Sequence, residues 1–178
     1  MEWVGAKLHL GCGDKPLAGW INVDGVAAPG VDLVLDIERD LETIPSGALV
    51  QVYSSHLIEH IHPDLLPGVL AHLHRALRLE GRLTLATISL EGIFHNAYEK
   101  GYSPAAWNSY LYGRTESGAH PMMAHRQAFT TAYLGELLRA AGFKLSRQWM
   151  LAEYPEINAL NDCARDSWHV TLYLEGLK

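Results

Sequence analysis

The first ninety residues are punctuated by short apolar-rich segments, at 6–10, 20–23, 31–36, 49–54 and 82–88, with glycine, proline or acidic punctuation around them. Segments this short read as buried strands rather than helices. Two stretches have the other period. Between 64 and 79, Leu65, Leu66, Val69, Leu70, Leu73, Ala76 and Leu77 recur at helical spacing, with Pro67 in the first turn and Glu80-Gly81 as the stop. Between 130 and 141, Leu134, Leu137 and Leu138 share a face, Thr130 or Thr131 can cap it, and Gly142 ends it. Strands expected at 143–151 and 167–175 close the chain and can pair as a long hairpin. Strands alternating with crossovers predict a three-layer α/β domain with a mostly parallel sheet. Ligands of such sheets bind at the carboxyl ends of the strands.

Length and charge narrow the function. A chain of 178 residues is expected to form one domain over 1–178. A net charge of −6, with 14 Lys and Arg and no basic run, disfavours a nucleic-acid partner, because phosphate neutralisation needs a basic surface. Cys12 and Cys163 are the two cysteines, too few for a disulfide framework, and fit a reducing compartment. No basic leader precedes an apolar run and no stretch approaches a bilayer span, so a cytoplasmic protein without a membrane partner is expected.

The chemistry gathers at the strand ends. Gly11-Cys12-Gly13 follows the first strand directly, and glycine lets a backbone turn sharply and approach a ligand. A simple tight turn would account for that pair alone. Asp24 and Asp36, at the ends of the second and third strands, bring acids suited to ribose hydroxyls into the same crevice. A nicotinamide-dinucleotide reading fails, because Pro16 occupies the third glycine's place and no helix can begin there.

The string LHLGCGDKPLAGWINVD, then VDLVLDIERDL, then VYSSHLIEHI, resembles a group of small class I methyltransferases that bind S-adenosylmethionine. The resemblance covers most of residues 6–90, and Tyr112-Gly113 with 125–142 is similar to that group's later segment. It implies a Rossmann-like sheet of about seven strands, mostly parallel with an antiparallel C-terminal strand. It also implies that Leu10, Gly11, Cys12 and Gly13 pass beneath the methionine part of the cofactor and that Asp24 binds the ribose. Asp36 would face the adenine amino group, Ile37 and Leu57 would flank the ring, and Ser54 and Ser55 would complete the cofactor set. The chain departs from the wider class at His9, where an acid is common, and at Lys15-Pro16, where a further glycine is common. Asp24 follows Gly13 by only eleven residues, enough for a turn and not for a full helix.

His56, Glu59 and His60 admit three readings. As HxxEH they match the motif of inverted zinc proteases, but Pro63 follows too soon for the long helix that motif needs. With His125 they resemble a divalent-metal cluster of some RNA 2′-O-methyltransferases, against which the acidic balance of the chain counts. As part of a methyl-transfer pocket, His56 and His125 are the catalytic candidates, since a neutral imidazole can take a proton near working pH. No bound metal is part of this last reading.

Residues 90–128, rich in Tyr, Trp, Asn, His and Gly, with scattered helical possibilities around Pro104–Tyr112, are expected to form a lid or substrate wall. Tyr98, Tyr102, Trp107, Tyr110 and Tyr112 belong to it, and Arg114, His120, His125 and Arg126 supply polar groups. The expected activity is methyl transfer to an O or N atom of a small acceptor, which the resemblance turns toward carbohydrate-linked molecules. A non-catalytic binding module with the same fold is the alternative.

Overall fold

The computed structural model describes residues 2–101, 103–113, 123–160 and 170–178. Tyr102, Arg114, His120, Cys163 and the start of the expected strand at 167–175 lie outside them. Strands β1 (Ala6–Leu10), β2 (Ile21–Asp24), β3 (Leu33–Val34), β4 (Leu49–Ser55), β5 (Leu77–Ile88), β6 (Leu145–Gln148) and β7 (Thr171–Leu177) form one sheet in the order β3-β2-β1-β4-β5-β7-β6. β7 runs antiparallel to both β5 and β6, and the pairings from β3 to β5 are parallel. The seven-stranded, mostly parallel sheet with its antiparallel last strand is therefore present.

One face is aliphatic. Helices α1 (Leu66–Ala76) and α4 (Thr131–Ala140) lay Leu66, Val69, Leu70, Leu73, Leu134 and Leu138 over Leu8, Leu10, Val52, Leu83 and Leu85. Each such leucine removes enough apolar area from water to contribute about 2 kcal/mol. Thr130 caps α4, accepting from the Tyr133 amide at 3.1 Å.

The other face is built differently. Neither the β1–β2 nor the β2–β3 connection contains a helix. Instead Tyr53, fully buried, is boxed by the rings of His9, Trp20 and Trp149 at centroid distances of 5.1, 6.4 and 6.3 Å. The Trp149 indole donates to the Leu85 carbonyl at 2.8 Å, and the short helix α5 (Pro155–Leu160) adds Ile157. Glu175, almost wholly buried on this face, accepts from Arg147 Nε at 3.1 Å and from the Tyr154 hydroxyl.

Four expectations of extent are corrected. The helix expected at 64–79 stops at Ala76, because Leu77 turns extended and pairs beside Leu49. Glu80, at φ 61°, then bends the strand so that Glu80 and Gly81 exchange backbone hydrogen bonds with Lys178. The strand expected at 31–36 shrinks to Leu33–Val34, since Asp36 folds back to accept the Glu38 amide. The strand expected at 143–151 is paired only over Leu145–Gln148. Among the described residues of 90–128, helix α3 (Pro104–Tyr112) falls where helical residues were possible, while α2 (Leu90–Glu99), capped by Ser89, is an addition.

Candidate functional site

The turn after β1 is shaped by two left-handed glycines, Gly11 at φ 72° and Gly13 at φ 52°. A Cβ at Gly11 would meet the Leu57 methyl carbons at 2.9 and 3.0 Å, so only glycine fits under that side chain without a shift. Asp24 ties the turn down: its Oδ2 accepts from the Gly13 amide at 2.8 Å and its Oδ1 from the Val26 amide at 3.0 Å. Each oxygen keeps a second lone pair for a ligand.

Asn22 performs the task of the absent helix. Its Oδ1 accepts from the Leu17 amide at 2.7 Å, and its Nδ2 donates to the Leu17 and Trp20 carbonyls. Asp32 in turn accepts from the Asn22 amide at 2.8 Å. Sequence reasoning missed both residues, although Asn22 lies inside the GWINVD string.

At the carboxyl ends of β1–β3 lies a pocket of about 330 Å³, within the usual size range of ligand sites. Leu10, Gly11, Asp24, Asp36, Ile37 and Leu57 are in its walls, so these expected residues do come together. His60 and Arg126 close the far side, with Arg126 paired to Glu38 at 3.1 Å. Cys12, Gly13, Ser54 and Ser55 are outside the walls. Cys12 is buried beneath the turn, and burial, aided by the Asp24 charge, pushes its thiol up to about 11. The hydroxyls of Ser54 and Ser55 are buried at the end of β4 with no hydrogen-bond partner among the described residues.

His56 leaves β4 at φ 46°, a left-handed value uncommon outside glycine, and its ring lies across β5 towards β7. Nδ1 is 2.8 Å from Glu59 Oε1, and Nε2 is 3.1 Å from Thr171 Oγ1. Glu59, fully buried, also accepts from Thr87 Oγ1 at 2.7 Å. Burial pushes its carboxyl up, but hydrogen bonding and the charge of His56, with the Thr87 bond, outweigh it and leave Glu59 below the usual carboxylate range. Thr171 belongs to the rim of an open groove of about 630 Å³ that also includes Ser89, Glu91, His95 and Trp149.

His60 and His125 gather near Glu59 as well. Their rings meet edge to face at 4.8 Å. His60 Nδ1 is 3.1 Å from the Ala124 carbonyl, and His125 Nδ1 is 2.8 Å from the Tyr110 carbonyl. Of the four residues in the alternative metal reading, Glu59, His60 and His125 converge, while both nitrogens of His56 face Glu59 and Thr171. The short 3₁₀ turn Ile58–His60 replaces the long helix a protease motif would require. No helix among the described residues is long and apolar enough to cross a membrane.

The methyltransferase-domain family matches residues 6–148, most of the chain. None of the curated proteins matches it by sequence. Among solved structures, an S-adenosylmethionine-dependent methyltransferase from Archaeoglobus fulgidus aligns over 99% of this chain and 87% of its own, at 15% identity and TM-score 0.60. The 1,6-didemethyltoxoflavin-N1-methyltransferase of Burkholderia thailandensis, solved with 1,6-didemethyltoxoflavin and S-adenosylhomocysteine, aligns over 98% and 71%, at 18% identity and TM-score 0.57. A methyltransferase from Mesorhizobium loti aligns over 100% and 93%, at 14% identity and TM-score 0.55. By its family match and its sheet order, the chain belongs to the class I methyltransferases, enzymes that take their methyl group from S-adenosylmethionine.

Proposed function

We propose that the chain transfers the methyl group of S-adenosylmethionine to an O or N atom of a small acceptor of the carbohydrate-linked kind. The observation that carries this reading is the convergence of Gly11, Asp24 and Asp36 on one pocket at the ends of adjacent strands. In it, Asp24 binds the ribose hydroxyls and Asp36 the adenine amino group, while Ile37 and Leu57 enclose the ring. Leu10, Gly11, Cys12 and Gly13 give the methionine part a close backbone surface, while the Ser54 and Ser55 hydroxyls, buried outside the pocket walls, are left out of the cofactor set. The cofactor supplies an activated methyl on a sulfonium, so the residues around it have mainly to hold the acceptor in line.

The groove bearing Thr171 is the acceptor's place in this reading. His56 accepts the acceptor's proton at Nε2, and Glu59 behind Nδ1 fixes the ring's orientation. His125 has its Nδ1 on the Tyr110 carbonyl, away from Thr171, and is left out of this proton path.

Calorimetric titration with S-adenosylmethionine and S-adenosylhomocysteine tests the pocket. Micromolar binding is expected, lost in Asp24→Ala; no binding of either at millimolar concentration, to folded protein, overturns the reading. Tight binding without turnover across alcohol, amine and sugar acceptors would favour the non-catalytic module.

A further inference from the structure

We infer that Glu59, His60 and His125 form a site for one divalent transition-metal cation, with two imidazole nitrogens and a carboxylate as ligands. Their ligand atoms lie within 4.8 Å of one another. A carbonyl oxygen only accepts, so the contacts of His60 Nδ1 to Ala124 and of His125 Nδ1 to Tyr110 put the proton on Nδ1 in both rings. In the neutral form of each ring the lone pair is then on Nε2. A metal-bound histidine is usually oriented in this way, its other nitrogen donating to a carbonyl or carboxylate.

No donor among the described residues satisfies either Nε2. Glu59 contributes a fully buried anion whose contacts with His56 and Thr87 leave lone pairs on both oxygens. Two imidazoles and a buried carboxylate this close together are what a cation bridges.

The geometry needs only side-chain adjustment. Bonds of about 2.0–2.2 Å in a tetrahedral arrangement set ligand atoms roughly 3.3 Å apart, so the cluster draws in from its present 4.8 Å. His125 packs closely against Gly113, at φ 69°, where a Cβ would lie 2.8 Å from His125 Cδ2 and 2.9 Å from its amide. His56 is then a positioning residue for Glu59 rather than a ligand. Three protein ligands leave a coordination position open to water or an acceptor oxygen. Such a cation would also clip the segment at 123–126, bridged to Gly113 through Ala124, onto the turn that follows β4. His60 is common to this cluster and the 330 Å³ pocket, so the site stands at that pocket's rim.

The inference rests on the three side chains and not on the methyl-donor reading, and the experiment keeps the two apart. Chelator-treated full-length protein is titrated with Zn²⁺ by calorimetry, alongside His60→Asn, His125→Asn and the exposed-helix control His72→Asn. Binding of a single Zn²⁺ is expected, weakened at least ~100-fold in the first two variants and unchanged in His72→Asn. No binding to the native chain, or equal binding by all three variants, overturns the site. Should either ligand variant fail to fold, the visible spectrum of the native protein loaded with Co²⁺ decides. Intense bands of a four- or five-coordinate site support the inference, and the weak spectrum of a hydrated ion overturns it. S-adenosylmethionine binding by the metal-free chain is read separately, and its failure counts against the methyl-donor pocket alone.

Discussion

On one face of the sheet two helices press leucines onto leucines; on the other, Tyr53, Trp20, Trp149 and His9 cover the strands where the first crossovers have no helix. Aliphatic cover comes from long amphipathic elements and has no polar atoms to satisfy. Aromatic cover needs fewer residues, because each ring hides a large area, but every indole or phenol must find a partner. Trp149 finds the Leu85 carbonyl and Tyr154 finds Glu175. The methyltransferase fold therefore tolerates a ten-residue link from β1 to β2, provided that side chains and Asn22 do what a helix would.

This contrast can be broken by mutation. The largest effect is expected for Leu70→Ala on the helical face, a loss of about 3–4 kcal/mol from transfer and cavity terms, read by urea unfolding. An unfolding midpoint that barely moves would show that α1 is not an essential cover. On the aromatic face, Trp149→Phe should cost about 2 kcal/mol, from the lost indole hydrogen bond and the smaller ring. A cost equal to that of Leu70→Ala would erase the distinction between the faces.

Asn22→Ala tests the link between β1 and β2 on its own, because it frees that link without removing an apolar side chain from either core. About 1–2 kcal/mol of stability should go with its hydrogen bonds, and S-adenosylmethionine affinity should fall with it, since the glycine turn is carried on that link. An affinity unchanged in calorimetry would separate the turn from its staple. The smallest effect is a pH slope on the helical face. Burial, followed by the Lys178 charge, depresses His74, which stacks edge-on against Phe143 at 5.0 Å. A depressed folded-state value means that its contribution is present above the unfolded value of ~6.5 and is lost as pH falls through the folded one. His125, depressed too, acts in the same sense. Thermal unfolding from pH 7 to 5 should therefore decline less steeply in His74→Gln than in the parent.

What could be read from the sequence was local. A short apolar-rich segment stopped by Gly11 reads as a buried strand, and Asp24 and Asp36 entered the pocket as the resemblance implied. Leu77 fits the helical period of α1 perfectly well; only its pairing beside Leu49, distant in sequence, makes it a strand residue. Helix α2 was obscured because Phe94 and Tyr98 on it are exposed, which blurs the apolar stripe. His56, Glu59 and His60 were visible as a motif, but their division into a contact with Thr171 and a cluster with His125 depends on residues more than sixty positions away. Spacing within a motif cannot report such partners.

The buried Cys12 has a practical consequence. A thiolate is the form that reacts with alkylating and disulfide reagents, and this thiol is both covered and held protonated at neutral pH. Reagent can reach it only during excursions in which the turn above it lifts away. Its labelling rate, assigned by peptide mapping, is thus a built-in clock for the opening of the glycine turn, one that a ligand seated on that turn should slow.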